Sequence, residues 1–207
     1  MSEYDRESWE RRWSQALREH GDRVAQRPPN RHLTAEVGDL DPGRALDAGC
    51  GHGSDALWLA ARGWRVTAVD FAATALAQAR ATAEAMGEDI AGRIDWVEAD
   101  LAAWTPRPDG FDLVVCLYVH VADSVEEMVR RMARGVAPGG TLFLVGHRPV
   151  DPATGEATAA AGQSQVSVDA ALAALDSELW DVPVAEDRVR PAAGTGVDAV
   201  IRARRRS

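Results

Sequence analysis

Short apolar segments alternate with helix-forming segments from residue 44 to residue 146 of this 207-residue chain. The apolar segments, which predict β-strands, are residues 44–48, 65–71, 94–98, 111–119 and 141–146. The intervening segments predict helices at residues 55–62, 72–86 and 124–136. This order predicts a mostly parallel, doubly wound sheet, because right-handed crossovers place helices on both faces. In such a sheet, ligands bind beyond the carboxyl ends of the strands.

The N-terminal flank of this region is expected to be helical. Trp9, Trp13 and Leu17 recur every four residues with charged residues between them, which predicts an amphipathic helix over residues 1–20. A short second helix is expected at residues 33–37.

The C-terminal flank carries a loop, a helix and two further strands. The loop at residues 148–165 is polar and long, as lids beside a binding site often are. The other expected elements are a helix at residues 168–175 and antiparallel strands at residues 180–189 and 197–204, around a Gly-Thr-Gly turn. We expect one domain, with residues 1–40 as a helical cap and residues 41–207 as the core.

Composition and charge argue against several classes of function. A net charge of −9 repels phosphate backbones, and the basic residues are scattered except between Arg202 and Arg206. Apolar runs fall far short of the ~20 residues of a membrane span, and the acidic, polar start is unlike a signal peptide. Cys50 and Cys116 lack metal-ligand spacing, so no metal site is expected. We expect a soluble cytoplasmic protein, monomeric or homodimeric, without nucleic-acid or membrane partners.

The most informative segment is Leu46-Asp47-Ala48-Gly49-Cys50-Gly51-His52-Gly53, between the first core strand and its helix. Glycines at alternate positions allow a sharp turn and let a ligand approach the backbone. A dinucleotide loop places its third glycine three residues after the second, where this chain has Ser54. Asp47 would also repel a diphosphate, whereas it would attract the ammonium group of S-adenosylmethionine. The loop therefore favours S-adenosylmethionine over a pyridine dinucleotide.

A second acid and its position identify the family that the chain resembles. Asp70 ends the second core strand 21 residues after Gly49, where an acid can accept hydrogen bonds from ribose hydroxyls. The glycine segment and Val69-Asp70 resemble the first two motifs of class I S-adenosylmethionine-dependent methyltransferases, and the likeness extends from about Arg44 to Val145. This resemblance implies a Rossmann-like α/β sheet of seven strands, mostly parallel, with an antiparallel last strand.

Further motifs agree with that family in their order. Val97-Glu98-Ala99-Asp100-Leu101 resembles the segment whose acid meets the adenine amino group, and residues 111–116 and 137–142 resemble its fourth strand and the turn before its fifth. The resemblance implies methyl transfer from S-adenosyl-L-methionine to a small molecule, with S-adenosyl-L-homocysteine as product. The implied cofactor-binding residues are Asp47, Gly49, Cys50, Gly51, Gly53, Asp70, Phe71, Asp100, Leu101 and Cys116.

The residues that would act on the methyl acceptor are less specific. His120 and His147 follow strands that should end at the cofactor crevice, so either could be a general base for a hydroxyl acceptor or a non-catalytic histidine. Tyr118 and Asp123 could orient an acceptor. A thiolate or neutral amine needs positioning and no base, so the accepting atom stays open.

The N-terminal helix resembles the start of thiopurine- and tellurite-resistance-type methyltransferases. Trp9 and Trp13 could cover the cofactor or line the acceptor site, or could simply pack. The His-Arg pair of the tellurite-resistance type lies near the last strands, where this chain has no histidine, so that chemistry is not carried over. Two other functions stay open: a non-catalytic S-adenosylmethionine-binding protein and, less favoured, a nucleotide-dependent oxidoreductase.

Overall fold

The computed structural model describes residues 6–120, 124–151, 153–158, 160–190 and 196–207, apart from the side chain of Asp22. Asp123 and most of the Gly-Thr-Gly turn lie outside these ranges. The helices are α1 Arg6–Ala25, α2 Arg31–Val37, α3 Ser54–Ala61, α4 Ala73–Met86, α5 Glu88–Ala91, α6 Val125–Arg134 and α7 Val168–Ala174. The strands are β1 Arg44–Ala48, β2 Arg65–Asp70, β3 Ile94–Glu98, β4 Phe111–Leu117, β5 Val136–His147, β6 Trp180–Val189 and β7 Val197–Arg205.

The seven strands form one mixed sheet in the order β3-β2-β1-β4-β5-β7-β6. The pairs β1–β2, β2–β3 and β4–β5 are parallel. Strand β7 runs antiparallel to both of its neighbours, β5 and β6. The predicted doubly wound fold with an antiparallel last strand is therefore confirmed. The chain divides into two compact units, Met1–Trp104 and Thr105–Ser207.

The first unit contains β1, β2 and β3 with helices α1 to α5. Its core consists mainly of alanine, leucine and valine, and Leu33, Leu46 and Leu59 are fully buried. Helix α3 starts directly after Gly53, whose φ of 81° lies in the left-handed region that favours glycine. Helix α1 is kinked at His20, and the four-residue helix α5 was not predicted because it is too short to show a periodic pattern.

The second unit contains β4 to β7 with helices α6 and α7, around a core that includes Phe143, Leu144 and Ile201. The side chain of Ser124 accepts a hydrogen bond from the backbone N–H of Glu127, as the capping pattern predicted. Strand β5 is longer than expected. The expected turn at residues 138–140 lies inside it as an irregularity, because pairing with β4 is already made at Val136 and resumes at Thr141.

Among the helices that the structure describes, none combines the length and apolar character that a bilayer crossing requires.

Candidate cofactor and acceptor sites

The loop after β1 owes its shape to its three glycines. Gly49, Gly51 and Gly53 have φ values of 82°, 51° and 81°, in the left-handed region that side chains disfavour. The backbone N–H groups of Gly49 and Cys50 donate to the carbonyl oxygen of Val69 at 2.8 and 3.0 Å. The loop is therefore tied to the end of β2 and leaves the sheet in a single fixed turn.

The glycines differ in what surrounds them. A Cβ atom at Gly51 would lie 2.9 Å from the indole ring of Trp13, whereas one at Gly53 would lie 2.7 Å from Trp96 and 2.9 Å from Ala79. Glycine is thus required at position 53, because Trp96 and Ala79 lie too close to leave room for a side chain. At Gly51, the position that a side chain would occupy faces Trp13 of helix α1.

Asp47 is a buried carboxylate with an oxygen that has no protein partner. Its exposed fraction is 2%, and its Oδ2 atom makes no hydrogen bond within the described residues. Burial raises the pKa of Asp47 well above its ordinary value, and the charges of Asp55 and Asp70 raise it further. A buried carboxylate of this kind is stabilised by a cationic group. The donor set at the entrance of the loop therefore fits a ligand with an ammonium group.

Asp70 at the end of β2 holds the glycine loop. Its Oδ2 accepts a hydrogen bond from the backbone N–H of Gly51 at 2.9 Å, and its Oδ1 accepts one from Ala72 at 2.8 Å. Burial raises the pKa of Asp70, while these two backbone donors lower it again. The backbone N–H of Phe71 is a third donor that lowers this pKa, and a carboxylate with about four acceptor positions can still accept a hydrogen bond from a ligand.

Helix α1 covers the loop. The Glu10 carboxylate accepts hydrogen bonds from the backbone N–H of Ala73 at 2.5 Å and of Thr74 at 3.4 Å, and so caps the start of α4. This anchor holds the Trp13 ring over Gly51, with its centroid 5.4 Å from that of His52. Trp9 instead lies beside the guanidinium of Arg12, 5.1 Å from its ring centroid. Of the two predicted lid residues, Trp13 contacts the loop.

His52, inside the loop, is uncharged at neutral pH. Burial, and secondarily the charge of Arg27, lower the pKa of His52 to about 4. Its Nε2 atom is buried and, within the described residues, has no hydrogen-bond partner. A neutral imidazole with an unpaired nitrogen can donate to or accept from a ligand at this position.

The remaining predicted cofactor residues are placed as follows. After β3, the Oδ1 atom of Asp100 accepts a hydrogen bond from Ala102 at 2.8 Å, and Leu101 is buried. Phe71 is partly buried. Cys50 is a buried free thiol whose pKa is raised well above its ordinary value by burial, so it is not a reactive thiolate. In the second unit, Cys116 is also buried and free, with its Sγ 3.7 Å from the Sδ of Met128.

In the second unit, His147 belongs to a polar cluster at the end of β5. The Nδ1 atom of His147 lies 2.8 Å from the Oδ1 of Asp198, its register partner on β7. The Tyr118 hydroxyl donates to the Oδ2 of Asp198 at 3.1 Å, and the Tyr118 and His147 rings stack with centroids 4.1 Å apart. The Nε atom of Arg190 is 3.4 Å from Oδ1 of Asp198, which is fully buried.

His120 takes part in a different arrangement. Its Nε2 atom lies 3.2 Å from the Oε1 of Gln163 and 3.0 Å from the Nε2 of Gln165. The Oε1 of Gln165 accepts the backbone N–H of His147 at 2.6 Å, so its amide nitrogen is the donor toward His120. Gln165 therefore links the two predicted histidines, and Nε2 of His120 is hydrogen-bonded to a glutamine amide in either tautomer.

The sequence interpretation did not include Asp198 or Gln165. Asp198 is the one acid in the apolar segment Val197-Asp198-Ala199-Val200-Ile201, and a charged residue inside a buried strand indicates a partner. That signal was available. The predicted orienting residue Asp123 lies outside the described residues.

The comparisons with known proteins agree with this geometry. Residues 45–140 match the family model described as a methyltransferase domain. The chain is 40% identical over 107 residues to a ubiquinone biosynthesis O-methyltransferase of Xanthomonas campestris pv. campestris (strain B100). The matched segment covers 51% of this chain and 43% of that protein. It is similar in structure to the N-methyltransferase NodS from Bradyrhizobium japonicum WM9 in complex with S-adenosyl-L-homocysteine, with a TM-score of 0.69, 19% identity and 98% coverage of both chains. Residues 45–140 are therefore similar to a methyltransferase domain, and the fold is that of S-adenosylmethionine-dependent methyltransferases.

A further similar structure supports the methyltransferase fold. The S-adenosylmethionine dependent methyltransferase from Mesorhizobium loti superposes with a TM-score of 0.65 and 21% identity, over 84% of this chain and 97% of that one. The chain spans less than half the length of the curated relatives it matches. The likeness to the thiopurine- and tellurite-resistance types stays a prediction.

Proposed function

We propose that this chain is a class I S-adenosylmethionine-dependent methyltransferase that moves the methyl group of S-adenosyl-L-methionine onto a small-molecule acceptor and releases S-adenosyl-L-homocysteine. The observation that carries the proposal is the Oδ2 atom of buried Asp47, which has no hydrogen-bond partner in the described part of the chain, beside a loop of three left-handed glycines. A cationic ligand without phosphates satisfies that carboxylate, whereas a dinucleotide would bring its diphosphate against it.

In this proposal each acid meets a different part of the cofactor. Asp47 faces the ammonium group, Asp70 accepts from the ribose hydroxyls and Asp100 meets the adenine amino group beside Leu101. The Oδ1 of Asp100 is taken by Ala102, and Oδ2 makes no hydrogen bond within the described residues. Lining roles are proposed for Gly49, Cys50, Gly51, Gly53, Phe71 and Cys116. When bound, the cofactor supplies an electrophilic methyl group on a sulfonium.

The helical cap has its own part in the proposal. The Trp13 ring lies over Gly51, so cofactor binding requires the ring to move or to stack on the ligand. If the indole stacks on the ligand, it keeps water from the loop, which favours transfer to the acceptor over side reactions. Trp9 stays a proposed lid residue.

The other expectations stay predictions. They are a single domain with a cap at residues 1–40 and a core at residues 41–207, a monomer or homodimer, and a cytoplasmic location. The acceptor is proposed to be a small molecule, without a nucleic-acid or membrane partner, because the chain is acidic and its basic residues are scattered apart from those between Arg202 and Arg206.

Turnover tests the proposal. The full chain is incubated with S-adenosylmethionine and a panel of thiols, amines and phenols, and the formation of S-adenosylhomocysteine is measured. We expect at least one acceptor to be methylated, with Asp47→Asn much less active and Asp95→Asn, on the exposed face of β3, unchanged. Cofactor binding without turnover of any acceptor would favour a non-catalytic binding protein.

A further inference from the structure

The ring of His147 is held in one orientation by two neighbours. Asp198 is within 2.8 Å of Nδ1, and the Tyr118 ring stacks on the imidazole at 4.1 Å. A carboxylate accepts hydrogen bonds, so Nδ1 carries the proton and donates it to Asp198. The other ring nitrogen, Nε2, is then the basic one, and within the described residues it makes no hydrogen bond. The side chain is 24% exposed, so Nε2 is not sealed in the core.

Asp198 is suited to stabilise a charged His147. It is fully buried, and its two oxygens are approached by the Tyr118 hydroxyl and the Arg190 Nε in addition to the imidazole. The hydrogen bonds from Tyr118 and His147, together with the positive charge of Arg190, stabilise a carboxylate that would otherwise be costly to bury. When His147 gains a proton on Nε2, the imidazolium stays beside this fixed negative charge. The pair therefore has the arrangement of a base and the acid that orients it.

His147 and Asp198 lie where ligand-binding residues are found in sheets of this kind. His147 ends β5, and Tyr118 directly follows β4, a parallel neighbour of β5. Ligands bind at the carboxyl ends of parallel strands. Tyr118 also has a φ of 55°, an unfavourable value for a tyrosine, and is kept there by its hydroxyl contact and by a backbone hydrogen bond to Val145 at 2.8 Å. Strain of this kind is concentrated at functional sites.

The same contacts separate His147 from His120. The amide groups of Gln163 and Gln165 both lie within hydrogen-bond distance of Nε2 of His120, so that nitrogen is engaged in either tautomer. The structure thus gives different roles to two histidines that the sequence presents as equivalent.

We propose that the acceptor carries a hydroxyl group and that His147, oriented by Asp198, is the general base that deprotonates it. The O–H bond breaks and the proton passes to Nε2 of His147. The oxygen forms a bond to the methyl carbon as the bond from that carbon to the sulfonium sulfur breaks. The electron pair of that bond stays on sulfur, so the products are a methyl ether, a neutral thioether and an imidazolium. This inference rests on the proposed methyl transfer, and Asp198 is in it a positioning residue.

Kinetics of the full-length protein test the base. The probes are a phenol, a catechol, an alkyl thiol and a primary amine, each with S-adenosylmethionine. For His147→Gln we expect a loss of kcat of about 10²- to 10⁴-fold with a hydroxyl acceptor and cofactor affinity within about twofold of the unchanged chain. His20→Gln, an exposed histidine of α1, is the matched control and should retain full activity.

A spectroscopic measurement tests the pair without an acceptor. Nitrogen NMR of the labelled protein should show His147 protonated on Nδ1 at pH 8, and Asp198→Asn should change that tautomer or its population. Asp198→Asn should also lower kcat more than it changes KM, because it disturbs the orientation of the base and leaves the acceptor contacts in place.

The outcomes separate this inference from the proposed function. A chain that does not bind S-adenosylmethionine contradicts the proposed function itself. The inference alone is overturned by methylation of the thiol or amine and of no hydroxyl compound, by full activity of His147→Gln on a hydroxyl compound, or by a His147 that is protonated on Nε2.

Discussion

Replacing Asp70 by alanine removes two functions of one side chain. The Oδ2 and Oδ1 atoms accept backbone hydrogen bonds from Gly51 and Ala72, at 2.9 and 2.8 Å. Because Gly51 is buried, its N–H loses its acceptor without gaining water, at a cost of about 1–3 kcal/mol in the free energy of unfolding. The ribose hydroxyls lose a charged acceptor as well. We expect the binding free energy of S-adenosylmethionine to weaken by about 1–3 kcal/mol, separately from the loss of stability. This corresponds to a Kd raised by about 5- to 150-fold.

Two assays on the same protein separate these effects. Urea unfolding, followed by circular dichroism, measures the stability, and isothermal titration at a temperature where Asp70→Ala remains folded measures the Kd. Asp95→Ala, in an exposed position of the neighbouring strand β3, is the matched control and should change neither quantity. An Asp70→Ala protein that is less stable but binds the cofactor with unchanged Kd would show that this acid supports the loop and does not contact the ribose. Unchanged stability would refute the hydrogen-bond reasoning.

Three further predictions concern the loop, its charges and the second unit. Gly51→Val should abolish cofactor binding in calorimetry while circular dichroism shows a folded protein, because a side chain there is strained at a φ of 51° and meets the Trp13 ring at 2.9 Å; retained binding counts against the loop assignment. Burial raises the pKa of Asp55 from 3.8 to about 6, so the folded state binds the proton more tightly than the unfolded state. Its contribution to stability is therefore complete below about pH 4 and is lost as the pH rises through 6, by up to about 3 kcal/mol, and Asp55→Asn should flatten this part of a pH series of urea unfolding curves. A slope that is unchanged in the variant would contradict that assignment. Tyr118→Phe keeps the ring stack but removes the hydroxyl bonded to Asp198, and should lower the free energy of unfolding by about 1–3 kcal/mol in the same assay; a variant as stable as the unchanged chain would mean that this hydrogen bond is not made.

The sequence predicted those parts of the fold that are specified locally. The bounds of β1, β3 and β6 agree with the expected segments, because turn-forming or charged residues flank each of them in the sequence. The capping role of Ser124 was equally visible, since the spacing to Glu127 is a local signal. The predicted start of β5 was wrong. Residues that would break an isolated strand are accommodated in β5 as a bulge, because β4 provides a pairing partner.

The candidate sites could be predicted only where the chemistry is local. Asp47 and the three glycines lie in one loop, so their spacing indicated a cationic ligand. The contact of His147 with Asp198 joins residues 51 positions apart, and no pattern near either residue announces it. Likewise, Trp9 and Trp13 occupy equivalent positions on a helix, and the Glu10 anchor to α4 distinguishes the one that reaches the loop.

Calorimetric titration of the full-length chain with S-adenosylmethionine and with NAD tests the central claim most directly. The account predicts saturable binding of S-adenosylmethionine, no detectable binding of NAD, and weaker binding of S-adenosylmethionine by Asp47→Asn, because the amide no longer offers a negative charge to the ammonium group. No heat with S-adenosylmethionine, or binding of NAD that Asp47→Asn strengthens, would contradict it.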